Sequence, residues 1–194
     1  AQRLEGIYDE AKKRHEDDHE NGAGTRAPAT IPETSVRAEQ LVALNEQLLA
    51  WPTGFAAHPR LAKQLERRRE AMGEAGGMDW GHAESLAFAS LLADGTSVRL
   101  TGQDGERGTF SHRHAVLHDP NSGQTFTPLM HLPNAKGVFE IYNSPLSETG
   151  VLGFEYGYST AAENALVLWE AQFGDFANVA QPVIDQFIAA DRAK

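Results

Sequence analysis

Three short apolar runs constrain this chain more than anything else in it: residues 97–101 (SVRLT), 138–142 (VFEIY) and 166–169 (LVLW). Each is too short for a helix, and each is bounded by glycine, proline or polar residues. Helical patterns lie between and around them, over 79–95 (DWGHAESLAFASLLADG), 146–158 and 174–190. Short strands alternating with helices indicate an α/β fold whose largely parallel sheet is covered on both faces. Such sheets hold their ligands on the loops at the strands' carboxyl ends. The residues that follow 101, 142 and 169 are therefore the ones to read for chemistry.

Upstream, the spacing predicts further helices. Thr34 or Ser35 caps one running to about Leu49, with Val36, Leu41, Leu44, Leu48 and Leu49 at helical intervals and Pro52 ending it. A second follows His58-Pro59 and runs through Leu61 and Leu65 to Gly73. The third has Asp79 as N-cap, a stripe of Trp80, Ala83, Ala87, Phe88 and Leu91, and Gly95 as its stop. A turn is expected at 119–123 (DPNSG). The stretch 4–19 is charged, with sparse apolar positions at Leu4, Ile7, Tyr8 and Ala11, which suits a surface helix or a docked arm. Residues 21–32 (NGAGTRAPATIP) have the composition of a mobile linker. The organisation expected is an N-terminal arm and linker over 1–34, a helical lead-in over 35–77 and the α/β region over 78–194.

Composition excludes several function classes. With 194 residues, 41% of them hydrophobic, the chain can bury one core. A net charge of −10 argues against nucleic acid as partner, because phosphate-backbone binders present basic patches. There are no cysteines, which removes disulfides, thiolate nucleophiles and cysteine-ligated metals and fits a reduced cytoplasm or mitochondrial matrix. No run is apolar enough to span a membrane, and the first residues, AQRLEGIYDE, carry no signal-peptide core. Arg67, Arg68 and Arg69 stand beside Glu66 and Glu70 and read as a solvated ion-pair face. His15 and His19 have the i, i+4 spacing of metal ligands, but no third or fourth ligand follows, so no metal site is expected.

The candidate residues lie on three loops. In 99–114 (RLTGQDGERGTFSHRH), Gly102 and Gly105 are expected to let the backbone leave the strand sharply and present Gln103 and Asp104. His112 and His114, two apart, read either as proton shuttles or ligands, or as structural side chains bonded to backbone carbonyls. In 142–159 (YNSPLSETGVLGFEYGYS), Pro145 and Ser147 mark a strand-to-helix junction. Glu148 is thus in a first helical turn, where a carboxylate is favoured electrostatically whether or not it does chemistry. In 166–176 (LVLWEAQFGDF), Phe173 and Phe176 have helical spacing, which suits either core packing or a stacking surface, with Glu170 and Gln172 beside them.

Taken together these three segments resemble the aminopyrimidine-binding (Pyr) domain of the thiamine-diphosphate-dependent first component of 2-oxoglutarate dehydrogenase, with 2-oxoadipate-active enzymes as near neighbours. The resemblance is close from about Met78 to Lys194 and looser over 35–72. It implies a partial transketolase-like fold. It implies Glu148 of the PLSE motif as the catalytic carboxylic acid against N1′ of the aminopyrimidine, with Leu146 of the same motif, Gln103, Gln172, Phe173 and Phe176 as cofactor contacts. It implies His112 and His114 as groups facing the dicarboxylic substrate or its intermediate. The activity implied is oxidative decarboxylation of 2-oxoglutarate, with the succinyl unit passed to a lipoyl group on the dihydrolipoyl succinyltransferase component, in a homodimer.

The same resemblance makes absences informative. The family's GDG motif with a following Asn, which holds the diphosphate and its divalent cation, does not occur, nor does a PHGHEGQGP-like run. The chain accordingly reads as a fragment of a longer enzyme, with the magnesium ligands elsewhere and little cofactor affinity of its own. Two rivals stand beside the first reading: a 2-oxoadipate dehydrogenase, and a binding or assembly module without catalysis.

Overall fold

The computed structural model describes residues 6, 9, 10, 12, 13, 33–74 and 76–190. Most of the expected arm, the His15–His19 pair and the 21–32 linker lie outside the described residues. The chain divides into two compact units, 1–35 and 36–194, and the second holds every feature discussed below.

That unit begins with three helices, α1 (Ala38–Leu48), α2 (Pro59–Glu70) and α3 (Trp80–Asp94). Strand β1 (Ser97–Gly102) follows, then a long loop and a small hairpin of β2 (Leu117–His118) and β3 (Thr125–Phe126). Strand β4 (Phe139–Asn143), helix α4 (Glu148–Ala161) and strand β5 (Ala165–Glu170) complete the α/β pattern. The sheet has the order β4-β1-β5 and is parallel throughout, with Leu100 opposite Ile141 on one side and Leu168 on the other. The parallel sheet flanked by helices is as the strand–helix alternation predicts.

Period-two alternation in β1 sends its side chains to two different environments. Val98 and Leu100 are buried in the main core with Leu86, Phe88, Ala89 and Leu92 of α3, Leu44 and Leu48 of α1, and Phe139 and Ile141 of β4. Arg99 and Thr101 point the other way and are met by Glu155 of α4. A second, smaller core joins Leu49, Leu65, Leu117 and Phe126, fastening α2 to the hairpin. The Asp119 carboxylate organises the hairpin loop by accepting from the backbone N–H groups of Asn121, Ser122 and Ala56.

Helix ends follow local chemistry in most places. Asp79 accepts from the His82 N–H at 2.7 Å, and Gly95 closes α3 with a left-handed φ of 103°. Pro59 opens α2 behind His58, whose Nδ1 accepts from the Arg60 N–H. Four expectations fail in whole or in part. Helix α1 starts at Ala38, past Thr34 and Ser35, with Arg37 at the N-cap and no side-chain cap. The apolar stripe expected on α3 holds only in part: Phe88 is in the core and Leu91 packs against it, but Trp80 is 91% exposed and Ala87 is exposed, while Gly81, His82, Ser85, Leu86 and Ala89 face inward. Polar His82 and Ser85 occupy that inner face because partners wait there, Asn45 Oδ1 for the imidazole and the Gly81 carbonyl for the hydroxyl. The long helix over 174–190 is broken into a 3-10 segment (Gly174–Ala180), a single α turn, α5 (Gln181–Val183), and a π turn (Ile184–Ile188). Pro182 lacks an N–H and its ring crowds the preceding turn, which disfavours a regular α-helix across residues 174–182. Finally, the solvated ion-pair face expected of the arginine run holds for exposed Arg67 and Arg69, the latter pairing with Glu46 of α1, but Arg68 is half-buried and donates to Ser85 of α3.

Candidate functional site

Because β1, β4 and β5 are parallel and in register, their last residues, Gly102, Asn143 and Glu170, form one row. The three motif-bearing loops therefore leave the sheet along a single edge. Packing there is tight: a Cβ on Gly102 would lie 2.9 Å from the Glu170 carbonyl oxygen. Close approach, not a special φ, is what requires glycine at 102; neither it nor Gly105 has a positive φ. The sharp excursion expected of those two falls later in the loop, at Gly108 (φ 79°) and at the non-glycine residues Ser111 and His114.

Glu148 is the first residue of α4, behind Ser147, whose hydroxyl caps the helix by accepting from the Gly150 N–H. It is half-buried, and Gln103 from the β1 loop donates to its Oε1 at 3.0 Å. Gln103 is the only hydrogen-bond partner of that carboxylate among the described residues. A carboxylate with one neutral donor and no cation has most of its proton-accepting capacity to spare. Two of the predicted residues thus meet directly. Leu146, just before the cap, is 52% exposed, and Gln172 is half-buried on the β5 loop.

The β5 loop carries Phe173 and Phe176, which stand edge to face at 5.9 Å and are 47% and 44% exposed, so neither is a core residue. Phe173 also meets Phe110 of the β1 loop edge to face at 6.1 Å, and Phe110 lies 6.4 Å from the His112 ring. Phe110 is 76% exposed. Thr149 of the Glu148 turn donates to the Val179 carbonyl, which ties the start of α4 to the 3-10 segment bearing Phe176. The result is a row of solvent-facing aromatic rings on the edge that carries Glu148.

Behind the row sits Arg113, 5% exposed, joined to Glu84 of α3 through two hydrogen bonds, to Glu170 at the end of β5, and to the Gly105 carbonyl. Burial alone would lower its pKa, but the bonds to Glu84 and Glu170 outweigh burial and raise it. Glu170, expected to line the site, is instead half of this structural pair. Arg113 and Glu84 were not among the expected site residues, since no local pattern links positions 84, 113 and 170; an arginine set between two loop histidines was the one available sign. The approach of this loop to α3 also explains Gly81, where a Cβ would lie 2.0 Å from the His112 carbonyl oxygen.

The two histidines part company. His112 belongs to the aromatic row. His114 lines a cavity of about 590 Å³ beside Asp104 and Asn143 at the strand ends, with His58 and Arg60 from α2's start and His118 from the hairpin. Burial, above all, lowers the His114 pKa. A larger cavity of about 880 Å³ lies between α4, β5 and the π turn, and its lining includes no histidine, lysine or arginine. Among the described residues no group of three or more His, Asp or Glu is arranged to hold a metal ion.

Residues 76–194 match the family described as the transketolase pyrimidine-binding domain. The chain belongs to that family. The pyrimidine-binding domain assignment bears out the resemblance drawn from the three motifs, as do the relatives. Over 162 residues, 84% of its length, the chain is 61% identical to a protein of Exiguobacterium sp. called 2-oxoglutarate dehydrogenase E1 component. Proteins of the same name from Bacillus mycoides and Bacillus cereus are 55% and 54% identical over stretches of that length. The chain spans about a sixth of these relatives, 17% of each. No helix among the described residues of this pyrimidine-binding domain is long and apolar enough to cross a membrane.

Proposed function

We propose that this chain is the part of a 2-oxoglutarate dehydrogenase that receives the aminopyrimidine end of thiamine diphosphate and governs its proton. The observation that carries the reading is Glu148 at the amino end of α4, oriented by Gln103 and sharing its edge with the exposed ring row of Phe110, Phe173 and Phe176. A flat heteroaromatic ring with a basic nitrogen is what such a surface fits: apolar rings for its face and a carboxyl group for its nitrogen.

Thiamine diphosphate, when bound, would supply the carbon nucleophile for a 2-oxo acid. Glu148 holds the proton at N1′ of the aminopyrimidine, and the helix amino terminus together with Gln103 keeps the carboxyl group in one orientation. Phe173 and Phe176 hold the ring and exclude water from one of its faces. Gln172 and Leu146 border it. Arg113 keeps the β1 loop and the end of β5 at a fixed separation, through Gly105 and Glu170. His112 and His114 are the groups for the substrate's carboxylates, and the name shared by the relatives favours 2-oxoglutarate over 2-oxoadipate. The four-carbon unit left by decarboxylation would pass to the disulfide of a lipoyl group on the succinyltransferase component, which is reduced to the dithiol level as the unit is oxidised to a succinyl thioester.

Diphosphate and its magnesium are held by a second domain of a partner subunit, so catalysis needs a homodimer. Exposed Tyr142 on edge strand β4, Leu146 in the loop that follows it and Phe154 on α4 support such an interface. Glu148→Gln in the full-length enzyme tests the reading. The fold should be intact and decarboxylation should fall by roughly 100-fold to 10,000-fold, the range lost with a general acid–base group. Activity above about a tenth of wild type rules it out.

A further inference from the structure

We infer that Arg113 is a positioning residue that locks His112 as an Nδ1–H hydrogen-bond donor, with its other nitrogen accepting from the guanidinium. A guanidinium has five N–H groups and no acceptor. In Arg113 all five are assigned. Nε donates to Glu84 Oε1 at 2.6 Å; Nη1 donates to Glu170 Oε2 at 2.5 Å and to the Gly105 carbonyl at 2.8 Å. Nη2 donates to Glu84 Oε2 at 3.0 Å, and its remaining hydrogen is directed at His112 Nε2, 3.5 Å away. Since the arginine can only donate, His112 Nε2 must accept, and the ring's single proton sits on Nδ1.

That Nδ1–H has no partner and is shielded from water among the described residues. The ring cannot easily turn to find one. It sits against Gly108, where a Cβ would come within 2.4–3.0 Å of three ring atoms, and Gly108 has the left-handed φ that favours glycine. A buried donor left unpaired is costly and rare in native proteins, so its retention beside the aromatic row points to an acceptor that arrives with a ligand. Resting on the proposed function, that acceptor is a carboxylate or carbonyl oxygen of the 2-oxo acid. His112 then acts by donating a hydrogen bond and not as a base, and its geometry is set from behind by the Glu84–Arg113–Glu170 clamp.

Two-bond proton–nitrogen correlation spectra of the 15N-histidine-labelled chain read the tautomer directly, with the His112 signals identified by their loss in His112→Asn. The expected pattern has the proton on Nδ1; a proton on Nε2, or an average of both tautomers, overturns the inference. Arg113→Gln should release the ring to the averaged or Nε2–H form. If it folds and keeps the Nδ1–H pattern, Arg113 is not the determinant and the inference fails; if it does not fold, the wild-type spectrum decides alone. In the full-length enzyme, an asparagine amide puts its N–H near the position of Nδ1 and a glutamine amide near that of Nε2. His112→Asn should keep KM for the oxo acid about tenfold lower than His112→Gln, the scale of one hydrogen bond. Equal KM values overturn the donor role. The tautomer does not depend on cofactor, so failure of the Glu148→Gln test would leave the spectral result standing and is told apart from it.

Discussion

Two glutamates on one helix have opposite surroundings. Glu155, in the middle of α4, is 3% exposed and bonded twice to Arg99 and once to Thr101. Arg99 is in turn flanked by Glu140 and by the rings of Tyr142 and Tyr158, each centred 4.6 Å from its guanidinium carbon. Glu148, about two turns earlier, has one neutral donor and open solvent. Every lone pair spent on a fixed partner is lost to chemistry. The middle of α4 therefore spends its charge on holding the helix to the sheet, while the first turn of α4, at the end of the strands, keeps its charge available.

The sharpest way to break this contrast is to neutralise both residues in parallel. Glu148→Gln should abolish most turnover and leave the melting temperature within a degree or two, since its carboxylate carries no ion pair. Glu155→Gln should do the reverse, costing roughly 3 kcal/mol of stability because Arg99 keeps only Glu140 as an anion, with activity per folded molecule largely retained. Thermal melts and turnover at saturating cofactor, measured on both variants, read the contrast; comparable melting shifts would erase it.

Phe176→Ala sharpens the comparison at the aromatic row. Loss of a stacking ring should weaken cofactor affinity by roughly 1 to 3 kcal/mol, while an already half-exposed ring contributes under about 1 kcal/mol to folding. A fall of many degrees in melting temperature, unrescued by excess cofactor, would move Phe176 to the structural side of the molecule.

His82 offers a smaller effect on the structural side. Burial, with the charge of Arg68 added, depresses its pKa below the ordinary 6.5, and Asp79 only partly opposes this. The unfolded chain then binds a proton that the folded chain refuses. Stability should be fully present above about pH 6.5 and decline as pH falls below it. His82→Gln retains a donor for Asn45 and removes the titration, so its melting temperature should change less between pH 7.5 and 5.5 than that of wild type. Equal slopes would exclude His82 as the origin. Smallest of all is Trp80→Ala, expected within about 0.5 kcal/mol of wild type by denaturant titration, since the ring is almost wholly exposed.

Much of this could be read without coordinates because it rests on local rules. Strand lengths and helix periods follow from side-chain alternation, and Asp79, Gly95, Pro59 and Ser147 act within a turn of where they stand. The position of Glu148 in a first helical turn after a parallel strand was legible for the same reason, and the motifs named the family. What no local rule contains is which face of a helix finds partners. Trp80 is exposed and His82 buried because Asn45, on another helix, supplies the acceptor. Phe173 and Phe176 have core spacing yet line a surface, since their loop leaves the sheet at its edge. The clamp of Glu84, Arg113 and Glu170 draws on three segments far apart in the chain, and a buried charge is stable only where all its partners converge. Sequence determined the elements and the chemistry available at their ends; tertiary packing alone decided which charges were neutralised and which were left free, because neutralisation depends on distances between residues that are neighbours only in the folded chain.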